Sequence, residues 1–217
     1  AWRNCFELVN LNLQNREVKD YLFDVIRFWI HEFDIDGIRL DCADCLDFDF
    51  MKEMRWMTGN EKQDFWLMGE IIHGDYRVWA NDEMLDSVTN YECWKGIYSS
   101  HNDKNYFEIA YSLKRQFGQG GLYENLCLYN FLDNHDVNRI GSLLKQRENL
   151  KNVYTLLYMM PGIPRFRLPD FSVKISPVAP NRIGTPCITA RWNSVTQVAK
   201  LNIRRPPSDC GGTSAHN

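Results

Sequence analysis

Three acidic residues of this sequence stand where side-chain chemistry is to be expected. Asp41 ends the segment DGIRLD, Glu70 ends WLMGE, and Asp136 ends FLDNHD. Short apolar runs bounded by turn residues are typical of buried strands, and parallel strands bring their C-terminal ends to one edge of a sheet. We therefore expect the three carboxylates to face a common site.

Arg39 and Asp41 are expected to act together. Side chains alternate between the two faces of a strand, so these two residues share one face. Ile38 and Leu40 then point the other way, toward covering helices. A guanidinium close to a carboxylate stabilises the ionised form and lowers its pKa. The pattern predicts an ionised carboxylate at Asp41, which is the form that a nucleophile requires.

Glu70 stands in different surroundings, because it follows the apolar and aromatic residues 65–69. Such surroundings disfavour the charged form of a carboxyl group, which suits a general acid at neutral pH. Gly69 is expected to leave space for the close approach of a ligand. One ionised and one protonated carboxyl group are the pair that glycoside cleavage requires.

Each of these residues has a structural alternative. An aspartate at the end of a strand often caps the following helix, so Asp41 could be a cap. The C-x-x-C pair Cys42 and Cys45 could be a redox site, which would need a surrounding thioredoxin-like unit. His73 and Asp75 could belong to a metal site, but no third ligand is spaced to join them, and the sequence predicts no metal.

The elements that must position these residues alternate along residues 1–164. Apolar periodicity predicts, in order, helix 15–33, strand 36–41, helix 50–57, strands 65–71 and 86–90, helix 106–117, strand 126–132 and helix 149–160. The apolar stripe of the first helix includes Trp29 and Phe33. Strands and helices alternating at intervals of about 30 residues predict parallel βα units, and hence an α/β fold.

The composition excludes several functional classes. Hydrophobic residues make up 44% of the 217 residues, enough to bury a core, and a net charge of −3 gives no indication of nucleic-acid binding. No apolar run reaches the ~18 residues of a membrane span. Seven cysteines, an odd number at irregular spacing, favour reduced cytosolic thiols over a disulfide framework. A start without Met indicates a piece of a longer chain.

A change in composition separates residues 165–217 from the rest. This tail has no Glu, two acidic residues against eight basic ones, and six of the eight prolines of the chain. We expect residues 1–164 to be the folded domain. The tail is expected to be foreign to that domain, through a reading-frame slip, a misjoined end or disorder.

The three acidic segments together resemble the α-amylase superfamily of glycoside hydrolases. DGIRLDCAD is similar to the nucleophile segment of that family, WLMGEII to its acid/base segment, and FLDNHD to the segment of its third carboxylate. DSVTNYECWKGIY resembles strand 6 of the neopullulanase and cyclomaltodextrinase branch. The resemblance covers residues 1 to about 164 and implies a partial (β/α)8 TIM barrel, roughly strands 4 to 8.

The resemblance also implies a role for each residue. Asp41 would be the nucleophile, Glu70 the general acid/base and Asp136 the carboxylate that stabilises the transition state. The substrate-binding residues would be Arg39, which orients the nucleophile, with His73, Tyr91, Asn134 and His135. The implied reaction is retaining hydrolysis of α-glucosidic bonds in maltodextrins, cyclodextrins or pullulan, with the two reacting carboxyl groups about 5–5.5 Å apart.

Two other functions fit the same segments. A transglycosylase would use the same covalent intermediate, and a truncated chain could be a catalytically silent sugar-binding fragment. The expected partner is an α-glucan oligosaccharide, with neither nucleic acid nor a membrane, and the full-length parent could be a homodimer. No cofactor is expected, since calcium fits the family but nothing in the sequence indicates it.

Overall fold

The computed structural model of the protein describes residues 9–165, which form helices and parallel strands. The helices are α1 (Arg16–Phe33), α2 (Phe48–Glu61), α3 (Tyr91–Asp103), α4 (Phe107–Phe117), α5 (Ile140–Leu143) and α6 (Leu150–Met159). The strands are β1 (Gly37–Leu40), β2 (Trp66–Gly69), β3 (Ser87–Val88), β4 (Tyr129–Asn130) and β5 (Ile163–Pro164). The predicted α/β alternation is confirmed. Apart from its first residue, the tail 165–217 lies outside the described residues.

The first three strands form one parallel sheet in the order β1-β2-β3. Its register aligns Leu40 with Gly69, the last residues of β1 and β2. Asp41 and Glu70 therefore follow directly from two neighbouring strand ends. This arrangement confirms that the first two predicted strands present their carboxylates at the same edge of the sheet.

The second sheet continues the first through a short connection. β4 pairs with β5 in parallel, and a parallel bridge joins Thr89, just after β3, to Tyr129 in β4. The backbone N–H of Asn90 donates to the carbonyl oxygen of Tyr129 at 2.9 Å. The segment after β4, which carries Asp136, is thereby brought to the side of the fold where β1 and β2 end.

Helix α1 begins at a side-chain cap and buries a stripe that overlaps only in part with the one predicted. The side-chain oxygen of Asn15 accepts the first free backbone N–H groups of the helix. Ile26 of the predicted stripe is buried, but Trp29 and Phe33 are exposed and Phe23 and Ile30 are buried in their place, so the buried stripe is rotated. The extent of the helix is confirmed, because periodicity fixes the helical type better than the direction of the buried face.

Helix α3 is absent from the sequence-based prediction. It begins directly after β3, where the side chain of Asn90 accepts the backbone N–H of Cys93. Gly96 lies inside it, and a Cβ there would come within 3.3 Å of Ile109 in α4. In a sequence, an internal glycine counts against the prediction of a helix. Here Gly96 permits two helices to pack closely.

Two apolar clusters fill the described unit. One takes its side chains from α1, α2 and the β1–β3 sheet, and Met51, Met54 and Leu67 lie fully buried in it. The other joins α3, α4 and α6, with Ile97 and Val153 at its centre. Burying each such side chain contributes about 1.5–3 kcal/mol. Among residues 9–165, none of the helices has both the length and the apolar character that a membrane crossing needs.

The expectation that Gly69 leaves room for a ligand is wrong. A Cβ at this position would lie 2.6 Å from Cδ1 of Leu85 and 2.8 Å from Cβ of Ala43. Both neighbours are fully buried. Gly69 therefore allows the core to pack tightly beneath Glu70 rather than opening a path to it.

Candidate active site

Asp41 is held in its ionised form by Arg39. Nη1 of Arg39 donates to Oδ1 of Asp41 at 2.6 Å, confirming that the two side chains share one side of the chain. This hydrogen bond lowers the pKa of the Asp41 carboxyl group, while partial burial opposes the effect. Asp41 does not cap the next helix, because Asp47 does so by accepting the backbone N–H of Phe50.

Glu70 is buried, with 5% of its surface exposed, but its carboxylate lies in a polar niche rather than an apolar one. Nη2 of Arg39 lies 3.1 Å from Oε2, and the backbone N–H of Cys42 donates to the same oxygen at 3.3 Å. The hydroxyl group of Tyr91 lies 3.0 Å from Oε1. The apolar strand therefore places Glu70 inside the protein, where three donor groups orient it.

The two carboxyl groups lie close together. One carboxylate oxygen of Asp41 and one of Glu70 are within 4.8 Å of each other. Arg39 contacts both side chains and supplies a positive charge between them. The pair is exposed on one side and buried on the other, since two thirds of the Asp41 side chain is open to solvent.

The segment 134–136 forms a turn opposite this pair. The side-chain oxygen of Asn134 accepts the backbone N–H groups of Asp136 at 2.8 Å and Val137 at 3.0 Å. Nε2 of His135 lies 3.2 Å from Oδ2 of Asp136. The side chain of His135 is more than half exposed, and that of Asp136 is half exposed. The turn therefore presents an imidazole and a carboxylate to solvent above a buried amide.

A cavity lies between this turn and Arg39, which contacts both carboxylates of the first pair. Its lining includes Arg39, Asn134 and His135, and the remaining lining residues are Thr89, Tyr129, Phe131 and Arg165. His135 makes a smaller contribution than Arg39 to lowering the pKa of Asp41. Arg39 from the first segment and Asn134 and His135 from the third therefore line one cavity, whereas the three carboxylates are not among its lining residues.

Two of the predicted substrate-binding residues, Tyr91 and His73, are placed differently with respect to the site. Tyr91 is 8% exposed and packs edge-on against Phe131, so its hydroxyl group rather than its ring face reaches the site. His73 lies exposed in the loop after β2, outside the hydrogen-bonded set. Its proposed metal partner Asp75 instead caps a short turn by accepting the backbone N–H of Arg77.

Two groups that support Glu70 have no recognisable signal in the sequence. The first is the backbone N–H of Cys42, a residue in the left-handed conformation with φ of 43°. The second is Thr89, whose hydroxyl oxygen accepts the N–H of Ile71 at 2.9 Å and anchors the chain after Glu70. Residues other than glycine rarely adopt positive φ. A cysteine at position 42 therefore gives no indication that the backbone N–H there turns toward Glu70.

The thiols of the C-x-x-C pair take no part in a disulfide. The Sγ atom of Cys42 lies within 4.8 Å of a carboxylate oxygen of Asp41 and of Glu70, so these three residues could contact a metal ion. Arg39 already contacts both carboxylates and occupies the place where a cation would be attracted. The donor set therefore suits an Arg-bridged carboxylate pair better than a metal centre.

Comparisons with known proteins agree with this geometry. The family described as alpha amylase, catalytic domain, matches residues 3–166. Over 156 residues the chain is 32% identical to an intracellular maltogenic amylase of Bacillus subtilis (strain 168), covering 71% of this chain and 26% of that protein. It is 35% identical over 138 residues to neopullulanase 2 of Thermoactinomyces vulgaris, covering 59% and 22%.

A solved structure gives the same result. The α-amylase of Geobacillus thermoleovorans in complex with acarbose superposes with a TM-score of 0.58 at 30% identity, covering 71% of this chain and 36% of that one. The chain spans about a quarter of the length of the two curated relatives described above. Because the family match extends over well more than half of the sequence, the chain belongs to the α-amylase catalytic-domain family.

Proposed function

We propose that this site belongs to a retaining glycoside hydrolase that cleaves α-glucosidic bonds, with Asp41 as nucleophile and Glu70 as general acid/base. The observation that carries the proposal is the short separation of the two carboxyl groups, within 4.8 Å between one oxygen of each. Retaining enzymes hold these groups about 5–5.5 Å apart, whereas inverting enzymes leave about 6.5–9.5 Å for a water molecule.

The reaction follows from the contacts of each group. Asp41, kept ionised by Arg39, attacks the anomeric carbon while Glu70 gives its proton to the leaving oxygen. A covalent glycosyl intermediate forms on Asp41, and Glu70 then removes a proton from the water that hydrolyses it. His135 lines the cavity and the half-exposed Asp136 lies beside it, where sugar hydroxyl groups would be held.

Starch-type oligosaccharides are the proposed substrates. The relatives are a maltogenic amylase and a neopullulanase, and a relative of known structure is complexed with acarbose. We further infer that β1 to β5 correspond to strands 4 to 8 of a (β/α)8 barrel, because β1, β2 and β3 are parallel neighbours in chain order. The described residues thus include Asp41, Glu70 and Asp136, the three acidic residues of the proposed site.

Release of maltose from maltodextrin, and of reducing trisaccharide from pullulan, tests the proposal, with Asp41→Asn and Glu70→Gln as matched controls. Activity that both substitutions abolish would support it, and activity that survives either would contradict it. Incubation with maltotriose distinguishes hydrolysis from transfer, since products longer than the substrate arise by transfer to a sugar acceptor and would favour a transglycosylase. Sugar binding without turnover would identify a silent fragment instead.

A further inference from the structure

A chain of buried hydrogen bonds connects Glu70 to the turn that carries Asp136. The hydroxyl oxygen of Tyr91 lies 3.0 Å from Oε1 of Glu70 and accepts a hydrogen bond from Nδ2 of Asn134 at 2.8 Å. Glu70, Tyr91 and Asn134 are each less than one tenth exposed. Water therefore competes little for these contacts, and each polar group depends on its neighbours in the chain.

The direction of this chain is fixed by the backbone. Oδ1 of Asn134 faces the N–H groups of Asp136 and Val137, which can only donate, so the amide cannot be flipped. The NH2 group of Asn134 must then face Tyr91 and donate to its oxygen. The hydroxyl hydrogen of Tyr91 is left to point at Oε1 of Glu70.

Packing holds Tyr91 in this position. Its ring contacts Phe131 edge-on with centroids 4.8 Å apart, and Trp94 edge-on with centroids 5.9 Å apart. The N-terminal end of α3, where Tyr91 is the first residue, is fixed by the fully buried cap Asn90. The hydroxyl group therefore has little freedom to turn from Glu70 to another acceptor.

We propose that Tyr91 and Asn134 are positioning residues, which transmit the geometry of the turn 134–136 to Glu70 through one directed hydrogen bond. This inference rests on the proposed role of Glu70 as general acid/base. The same hydrogen bonds then determine the position of the turn, which holds the third carboxylate, and the position of the acid/base residue Glu70. Displacement of the turn would move the hydroxyl group of Tyr91 relative to Oε1 of Glu70.

The hydroxyl proton of Tyr91 gives a test that does not depend on activity. In proton NMR of the full chain with isotope-labelled tyrosine, one hydroxyl resonance should disappear in Tyr91→Phe and move in Glu70→Gln. In Asn134→Asp the new carboxylate competes for the hydroxyl hydrogen, so the resonance should no longer respond to Glu70→Gln. A missing resonance, or one that Glu70→Gln leaves unmoved in the otherwise unchanged chain, would overturn the proposal.

Kinetics then test the coupling. Each of Tyr91→Phe and Asn134→Asp should lower kcat about tenfold, the effect of one hydrogen bond to a charged group, with little change in KM. The double variant should lose no more than either single one, because both break the same chain. Multiplying losses would contradict the proposal. Tyr123→Phe, which removes a buried hydroxyl bonded to the N–H of Tyr76, should leave kcat unchanged.

The two readouts separate the two proposals. If the resonance behaves as expected but the protein releases no maltose, the directed hydrogen bond from Tyr91 to Glu70 stands and the proposed function fails. If maltose is released but the resonance does not respond to Glu70→Gln, the function stands and the positioning role fails.

Discussion

Arg39 and Glu70 lie on adjacent parallel strand ends, and Nη2 of Arg39 is 3.1 Å from Oε2 of Glu70. The same guanidinium reaches Asp41 two residues further along its own chain. One planar cation therefore fixes the two carboxylates relative to each other. An ammonium group, which is a single point of charge, cannot reproduce this fork.

Arg39→Lys should therefore reduce activity by about 10- to 100-fold, the effect of losing one or more hydrogen bonds to a charged group. The hydrogen bond from Arg39 is the main cause that lowers the pKa of Asp41, so a lysine that keeps the charge but loses this bond should let that pKa rise toward the ordinary value. Below its pKa Asp41 is protonated and cannot attack, so the acid limb of the pH profile of kcat/KM should move to higher pH. An unmoved acid limb would argue against Asp41 as nucleophile. Arg27→Lys on α1 is the control, because Arg27 also pairs with a carboxylate, that of Glu61 at 2.9 Å, but outside the site.

External nucleophiles should distinguish the roles of the two carboxylates. With an aryl α-maltoside and azide, Asp41→Ala should give the β-glycosyl azide, because azide replaces the missing nucleophile in a single inverting step. Glu70→Ala should give the α-glycosyl azide, because azide attacks an intermediate already inverted once by Asp41. NMR of the anomeric proton identifies the product. The same anomer from both variants would refute the assignment.

Gly69→Ala should destabilise the fold by about 1–3 kcal/mol, because the added methyl group would collide with Leu85 and Ala43 in the core. Gly59→Ala is the matched control, since apart from its chain neighbours and the backbone of α2 itself no atom lies within 4 Å of a Cβ at that position. It should stabilise the protein by about 0.5–1 kcal/mol, because alanine favours a helix. Urea denaturation measures both values, and equal effects would show that the packing beneath Glu70 is loose.

The placement of Asp41 and Glu70 could be predicted from sequence because each follows a short apolar strand with no intervening turn. The alternation of βα units is equally local, so helices such as α1 were predicted to within one residue. The connection from β4 to Asp136 is different, because only Tyr129 and Asn130 form the strand and the rest of the predicted run is irregular. The position of Asp136 depends on the turn made by Asn134, which has no periodic signal.

The polar contacts of Glu70 could not be predicted for a related reason. Residues 65–69 are apolar, and the sequence does not show which distant groups complete the niche. Arg39 and Cys42 approach from the neighbouring strand, and Tyr91 from a helix that sequence patterns did not reveal. The tertiary pairing of β1 with β2 creates this niche, whereas local propensity determines only the strands themselves.

The buried amides beneath α3 give the last prediction. Asn90 is fully buried, and its Nδ2 donates to Oε1 of Gln116 and to Oδ1 of Asn130, both at 2.9 Å. Asn90→Ala would remove a helix cap, costing about 1 kcal/mol, and leave buried partners unsatisfied at about 1–3 kcal/mol each. We expect a total loss of about 3 kcal/mol or more in the free energy of unfolding, measured by urea denaturation.

Asn15→Ala is the control for this effect. Asn15 caps α1 in the same way but is exposed, so its loss should cost only about 1 kcal/mol. Because Tyr91 directly follows Asn90, the buried variant should also shift the hydroxyl resonance of Tyr91, whereas the exposed one should not. Equal losses of stability in the two variants would mean that the amides beneath α3 contribute nothing beyond the cap, and the position of Tyr91 would then need another explanation.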